Sequence, residues 1–182
     1  SQTIESLTST NAVAKFPVLR PLISFNKDEI IQIAARKVHH GQTIETFEEF
    51  INPLRPIPNK ITELTSITDD MVKDAEKIEQ VFPKLLEFIK GSVLVAHNAK
   101  FDIGFLKHNC AQLGLKLENT YIDTLRLAKA IFPDFTKYKL GIIADKLGIK
   151  VEVAHRALDD VKTLVAVFNE MIKRAKDKDA KL

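Results

Sequence analysis

Apolar and polar positions alternate in the first third of the chain as they do in strands. Residues 29–38 are largely apolar and predict a strand, residues 39–42 carry a turn signal, and residues 43–51 alternate as a second strand. The Glu-rich middle of that second segment also allows a helix. Residues 52–59 contain three prolines and predict a loop. This part therefore predicts a β-hairpin that leads into a loop.

Later apolar positions recur mainly at helical spacing, interrupted by two short strand-like runs. Strands are predicted over 93–96 and 121–124, the second of which is equally typical of a turn. The predicted helices, some ended by glycine or proline, are 61–68 (helix or turn), one that begins at Asp69, 81–89, one that ends at Gly114, 124–132, 140–147 and 156–175. Strands followed by alternating strands and helices predict an α/β fold, a mixed sheet with helices on its faces.

Residues 16–25 do not fit either pattern cleanly. Val, Leu and Ile recur there at strand spacing, but Pro17 and Pro21 interrupt them. Proline has no N–H to donate to a neighbouring strand. Two prolines so close together therefore argue against a central strand.

Length and composition indicate a single domain over residues 15–175, with a linker-like start at 1–14 and a Lys-rich tail at 176–182. The net charge of +3 allows a polyanionic partner. Cys110 is the sole cysteine, which excludes an internal disulfide and fits a reducing compartment. No apolar run approaches the length of a membrane span. We therefore expect a cytoplasmic protein without a membrane partner.

The stretch from His97 to Asp102 joins a short apolar strand to an amphipathic helix, which places Asp102 in the first helical turn. A carboxylate there is favoured by the helix dipole and can face a cleft at the end of the strand. The same position equally suits a capping acid with no functional role.

His155 and Asp160 flank the predicted start of the last helix. On a helix they would point about 140° apart, so both serve one site only if His155 lies on the preceding loop. If Asp160 then met Asp102, the two carboxylates would repel unless they held a cation such as Mg²⁺ or Mn²⁺. A neutral histidine beside them could accept a proton from water. The alternative is an ordinary acidic helix start after an exposed loop histidine.

Three stretches in this order carry a family resemblance: HNAKFDIGFL, YIDTLRLAKAIFP and HRALDD. Together with EIIQIAARKV and residues 50–71, they resemble the DnaQ-like 3′–5′ exonucleases. Within that family they resemble the DEDDh group, which includes the proofreading epsilon subunit and the exonuclease domain of PolC-type bacterial replicative polymerases. The resemblance extends from about residue 28 to about residue 171.

The resemblance implies an RNase H-like fold, a five-stranded mixed sheet with flanking helices. It also implies two divalent ions, Mg²⁺ or Mn²⁺, that grip the phosphate at a single-stranded DNA or RNA 3′ end. By match to the motifs, Asp102 and Asp160 would be metal ligands and His155 the general base. A polymerase or helicase, in the same or another chain, is the implied partner.

The resemblance also implies residues that contact substrate. Asn98 and Phe101 would line the pocket of the terminal nucleotide, and Ile67 would touch the terminal base. Ser66 stands where the corresponding loop of the family usually has glycine. Asp123 matches a common family aspartate, which we interpret as supporting structure rather than as a ligand.

The family's first motif, Asp-x-Glu-Thr-Thr-Gly, is missing. Counting back without gaps from residue 29, its two acids fall on Pro17 and Leu19, and no Asp or Glu occurs anywhere from Ser6 to Lys27. Two neighbouring divalent ions need several carboxylates to offset their repulsion. One hypothesis is a working exonuclease that uses one metal or an acid from elsewhere, which the retained Asp102, Asp160 and His155 favour. The other is a degenerate domain that binds nucleic acid or a protein without cutting.

A third hypothesis is a compensated frameshift, in the gene or in its reading. With one choice of codons, residues 19–23 read Glu-Thr-Thr-Asp after two bases are dropped. A misread sequence predicts that the peptides covering residues 12–27 differ in mass from the printed chain. Intact-mass measurement and peptide mapping test this, and masses that match the printed sequence contradict a misreading. A frameshift in the gene itself is tested by sequencing the DNA.

Overall fold

The structure, a computed structural model, describes residues 16–23, 30–151 and 156–179, with side chains for 30–151 and 156–177. The described residues form one five-stranded sheet in the order β3-β2-β1-β4-β5. Its strands are β1 (Phe16–Ile23), β2 (Ile30–His39), β3 (Gln42–Phe50), β4 (Leu94–Ala96) and β5 (Tyr121–Asp123). A mixed sheet with helices between its later strands confirms the predicted α/β class.

Seven helices accompany the sheet in the described ranges. They are α1 (Asn59–Thr65), α2 (Asp69–Val72), α3 (Ile78–Ile89), α4 (Ala99–Gln112), α5 (Thr124–Ile131), α6 (Leu140–Lys146) and α7 (Ala157–Asp179). Helix α7 continues into the segment predicted as a Lys-rich tail. No helix in these ranges is both long and apolar enough to cross a membrane.

The predicted hairpin is confirmed. Strands β2 and β3 are antiparallel and their pairing ends at His39 opposite Gln42. The two residues between them, His40 and Gly41, have φ angles of 49° and 79°. Positive φ at both central positions is typical of the tight turns that match the twist of paired strands.

The prediction that the two prolines keep residues 16–25 out of the sheet centre is wrong. Strand β1 lies between β2 and β4, antiparallel to β2 over eight residue pairs and parallel to β4 at Val18–Val95. Successive N–H groups of a strand point to opposite neighbours. Pro17 and Pro21 are four residues apart, so both missing donors fall on one side of β1. The N–H groups that point to the other side of β1 are unaffected by the prolines.

Strands β1, β4 and β5 run in the same direction, since β4 is parallel to both neighbours. Their carboxyl ends therefore lie at one edge of the sheet, from which α4 and α5 begin directly after β4 and β5. In open α/β sheets this edge is where ligands bind. We call it the carboxyl edge.

Both faces of the sheet are covered, and the first six residues of β2 are buried whichever face they point to. Ala34 and Val38 pack with apolar residues of α5, α6 and α7, whereas Ile33 and Ala35 pack with those of α3 and α4. Burying both faces contributes about 25 cal/mol per Å² of apolar surface. The result is a three-layer arrangement that holds the carboxyl edge rigidly.

Asp123 joins the starts of two helices at the carboxyl edge. Its Oδ1 accepts hydrogen bonds from the main-chain N–H of Leu125 at 3.0 Å, which caps α5, and of Asn98 at 3.1 Å, which precedes α4. Asn98 itself has φ 62° and ψ 54°, a left-handed conformation that asparagine tolerates better than most residues. These bonds agree with the supporting role expected for Asp123.

Replacing Asp123 by alanine removes the acceptor of both bonds. We expect Asp123→Ala to lower the free energy of unfolding by about 1–2 kcal/mol, and Asp123→Asn, which keeps an acceptor oxygen, by less than about 0.5 kcal/mol. Urea denaturation measures both changes. The control is Asp134→Ala at an exposed loop position, expected to stay within about 0.5 kcal/mol. Equal values for Asp123→Ala and this control would contradict the bridging role.

Candidate active site

His97 links three parts of the chain at the candidate site. The ring is 6% exposed and follows β4 directly. Its Nε2 donates to the main-chain oxygen of Tyr138 at 2.8 Å, because a carbonyl oxygen only accepts, and its Nδ1 lies 3.0 Å from Oγ1 of buried Thr124. His97 therefore ties β4 to α5 and to the loop before α6. The sequence signal for it was a histidine directly after a buried strand.

Asp102 and Phe101 occupy the first turn of α4 in opposite environments. Asp102 is 0% exposed, whereas Phe101 is 48% exposed. Burying a carboxylate is costly unless positive charge or donors compensate, and the amino end of α4 supplies part of that compensation. The turn thus holds one carboxylate inside the protein and shows one aromatic ring to solvent.

Asp160 lies in the first turn of α7 and is half-buried. Its side chain borders an open cleft of about 740 Å³ that is also lined by His97, Asn98 and Tyr138. Its main-chain N–H donates to the oxygen of Arg156 at 2.9 Å, which begins the helical hydrogen-bonding pattern. The structure thus brings Asp160 and Asn98 to one cleft at the carboxyl edge.

Two lysines give this cleft positive charge. Lys129 of α5 and Lys139, just before α6, are exposed and line it. The Nζ of Lys129 lies 5.9 Å from the centre of the Tyr138 ring. Ammonium groups at the rim of a cleft attract phosphates, and salt screens that attraction. The cleft can therefore receive a polyanion despite the carboxylate of Asp160.

Of the other described residues predicted for the site, Phe101, Asp102 and Ile67 are not among those that line this cleft. His155 lies outside the residues that the structure describes. Ile67 is 0% exposed and packs with Ile31, Ile57 and Val72, so the direct contact predicted between Ile67 and a base would need that cluster to open. Ser66 has a φ of 58°, the left-handed conformation that glycine adopts most easily, which accounts for glycine at this position in the family.

The described residues do not fit the pair of divalent ions implied by the resemblance. Among them, no three His, Cys, Asp or Glu side chains group closely enough to hold a metal. The backbone of β1 passes through the sheet centre, where the family's first motif belongs, but its residues include no acid. Two adjacent dications would lack the carboxylates that offset their repulsion.

Known proteins resemble this chain over most of its length. Residues 16–168 match the exonuclease family. The PolC-type DNA polymerase III of Caldanaerobacter subterraneus subsp. tengcongensis is 46% identical over 150 residues, 82% of this chain and 11% of that protein. The enzyme of Clostridium perfringens is 45% identical over 154 residues, 85% of this chain and 11% of that protein. The chain thus spans about a tenth of the length of these relatives.

A solved structure supports the fold. Exonuclease X in complex with 5′ overhanging duplex DNA superimposes with a TM-score of 0.69 at 24% identity, covering 87% of this chain and 91% of that one. This likeness agrees with the RNase H-like arrangement of the five strands. Nothing in the comparisons favours a degenerate domain over an exonuclease domain. The matched span and the identity to the relatives show that the chain belongs to the exonuclease family, as a domain homologous to the exonuclease of PolC-type DNA polymerase III.

Proposed function

We propose that this domain removes nucleotides from a single-stranded DNA or RNA 3′ end, in the manner of a proofreading exonuclease. One observation carries the proposal: Asn98 and Asp160, matched to separate family motifs, line one cleft at the carboxyl edge. The starts of α4 and α7, which are far apart in the sequence, supply these residues. A purely structural origin of the motifs gives no reason for them to share a cleft.

Four kinds of contact hold the 3′ end. The exposed ring of Phe101 stacks on a base, an interaction worth about 1–3 kcal/mol per base. The amide of Asn98 forms a hydrogen bond with the terminal nucleotide, and Ile67 contacts its base after its buried cluster has opened. Lys129 and Lys139 attract the phosphates that enter the cleft.

Asp102 and Asp160 would hold one divalent ion, Mg²⁺ or Mn²⁺, since hard cations prefer carboxylate oxygens. Such an ion supplies the positive charge that offsets the charge of the scissile phosphate. Without a cation, two carboxylates would repel an approaching phosphodiester.

His155 acts as the general base. It directly precedes the segment that leads into α7 and matches the family histidine. A neutral imidazole takes the proton from the attacking water, water oxygen bonds to phosphorus, and the bond to the 3′ oxygen of the preceding nucleotide breaks. A terminal nucleoside monophosphate leaves, and the shortened strand keeps a free 3′ hydroxyl.

The similarity to PolC-type relatives supports an activity beside a polymerase. These relatives are PolC-type DNA polymerase III proteins, and this chain matches about a tenth of their length. We propose that the domain works in the cytoplasm on strands handed over by a polymerase, or alternatively a helicase, in the same or another chain. Misincorporated 3′ nucleotides are then its substrates.

The proposal predicts stepwise shortening of 5′-labelled single-stranded DNA and RNA in Mg²⁺ or Mn²⁺. We expect His155→Ala and Asp160→Asn each to slow the reaction at least about 100-fold, because each removes a group that acts on the phosphate or the water. The products are resolved on a denaturing gel. A ladder that grows from the 3′ end, and a higher rate on one strand type, identify the reaction and its preferred substrate.

The matched control is Asp159→Asn. Asp159 occupies the same helical turn but forms an ion pair with Lys162 at 3.0 Å and is absent from the cleft lining. It should keep the wild-type rate within about 3-fold, as expected of a position outside the site. Binding of the 3′ end without cleavage by the wild type would reject the exonuclease and favour the degenerate binding domain.

A further inference from the structure

The start of α7 presents a buried donor that needs a partner. Ala157, the first residue of α7, is 0% exposed. The first N–H groups of a helix have no acceptor within the helix, and leaving one unpaired in the interior costs stability. The N–H of Ala157 donates to Oε1 of Gln32 at 3.2 Å, across a separation of 125 residues. A strand side chain thus caps this helix.

Gln32 lies in β2 and is 0% exposed. Its Nε2 donates to Oε1 of Glu48 on β3 at 2.8 Å. Since an N–H only donates, the amide oxygen of Gln32 must face Ala157 and its NH₂ group must face the carboxylate. The chain of bonds from Glu48 through Gln32 to Ala157 therefore has one orientation that satisfies every member.

This chain of bonds fixes the end of α7 that carries Asp160. Ala157 and Asp160 are three residues apart, within the same helical turn. The sheet beneath is held by the long β1–β2–β3 ladder, so Gln32 is a rigid point of attachment. Residue 155 precedes Ala157 by two positions. Any shift of the first turn of α7 would move Asp160 relative to Asn98 across the cleft.

We propose that Gln32 is a positioning residue, which sets the start of α7 against the sheet and through it places Asp160 in the cleft. A carboxylate at position 32 would lie about 2.8 Å from that of Glu48 and be repelled by it. The double exchange Gln32→Glu with Glu48→Gln restores both bonds. The new carboxylate accepts from Ala157 at a helix amino end, where negative charge is favoured, and the new amide donates to it.

Four variants test the proposal: Gln32→Leu, Gln32→Glu, Glu48→Gln and the double exchange. Hydrogen exchange of the Ala157 amide, followed by NMR, reports the bond itself. We expect exchange at least about 10-fold faster in Gln32→Leu and Gln32→Glu, a wild-type rate in Glu48→Gln, and recovery to within about 3-fold in the double exchange. The Asp160 amide resonance should shift in the first two and return in the last. Gln42→Leu, exposed on β3, is the control.

The expected effect of these variants on catalysis rests on the proposed function and is measured separately. For 3′-end cleavage, kcat should fall at least about 10-fold in Gln32→Leu with KM within about 3-fold, and the double exchange should recover it. Unchanged Ala157 exchange in Gln32→Glu and Gln32→Leu overturns the positioning role, and so does an unmoved Asp160 resonance. If the wild type does not cleave, the proposed function fails, whereas the Ala157 and Asp160 amides still decide this inference.

Discussion

The candidate site depends on the burial of one short strand between two parallel neighbours. All three residues of β4, Leu94, Val95 and Ala96, are 0% exposed, and the strand pairs with β1 on one side and β5 on the other. Because the three strands share a direction, the helices that follow β4 and β5 begin at the same edge. His97 and Asp123 then lock these helix starts together. Without this pairing, Asn98 would have no fixed position.

The same constraint explains how a strand with two prolines occupies the sheet centre. β1 pairs with β2 over eight residue pairs but with β4 at a single pair. This uneven pairing is consistent with both missing N–H groups pointing towards β4. The sequence rule that excludes proline from central strands assumes ladders on both sides. Here the eight-pair antiparallel pairing with β2 and the two-sided burial of the neighbouring strands are sufficient.

Much of the architecture was predictable from local patterns. The largely apolar strand β2, the turn at His40 and the helical spacing in α3 and α7 each followed from one stretch of sequence. The links between distant stretches did not. Gln32 was visible only as one polar residue within an apolar run. Its hydrogen bond to Ala157 joins residues that are 125 positions apart in the sequence. Periodicity describes which face a residue occupies, not which distant group it meets.

The sequence indicated which residues to consider for the site, but not how deeply each of them is buried. The motif matches singled out Asn98 and Asp160, which line one cleft in the structure, but they gave no warning that Ile67 is fully buried. Burial of Ile67 arises from its packing with Ile31, Ile57 and Val72, which come from three separate segments. The roles of Asp102 and His155 remain predictions that rest on the motif match.

The proposed activity requires the cleft at the carboxyl edge to receive a nucleic-acid 3′ end. NMR titration of the ¹⁵N-labelled His155→Ala variant in Mg²⁺, which lacks the proposed general base and is expected to cleave slowly, tests this requirement by comparing linear single-stranded DNA with a circular strand of the same sequence. We predict that the linear strand shifts the amides of Asn98, Phe101 and Asp160, and that the circular strand, which has no end, leaves them within error. Equal shifts with both strands, or shifts confined to residues outside the cleft, would contradict the claim.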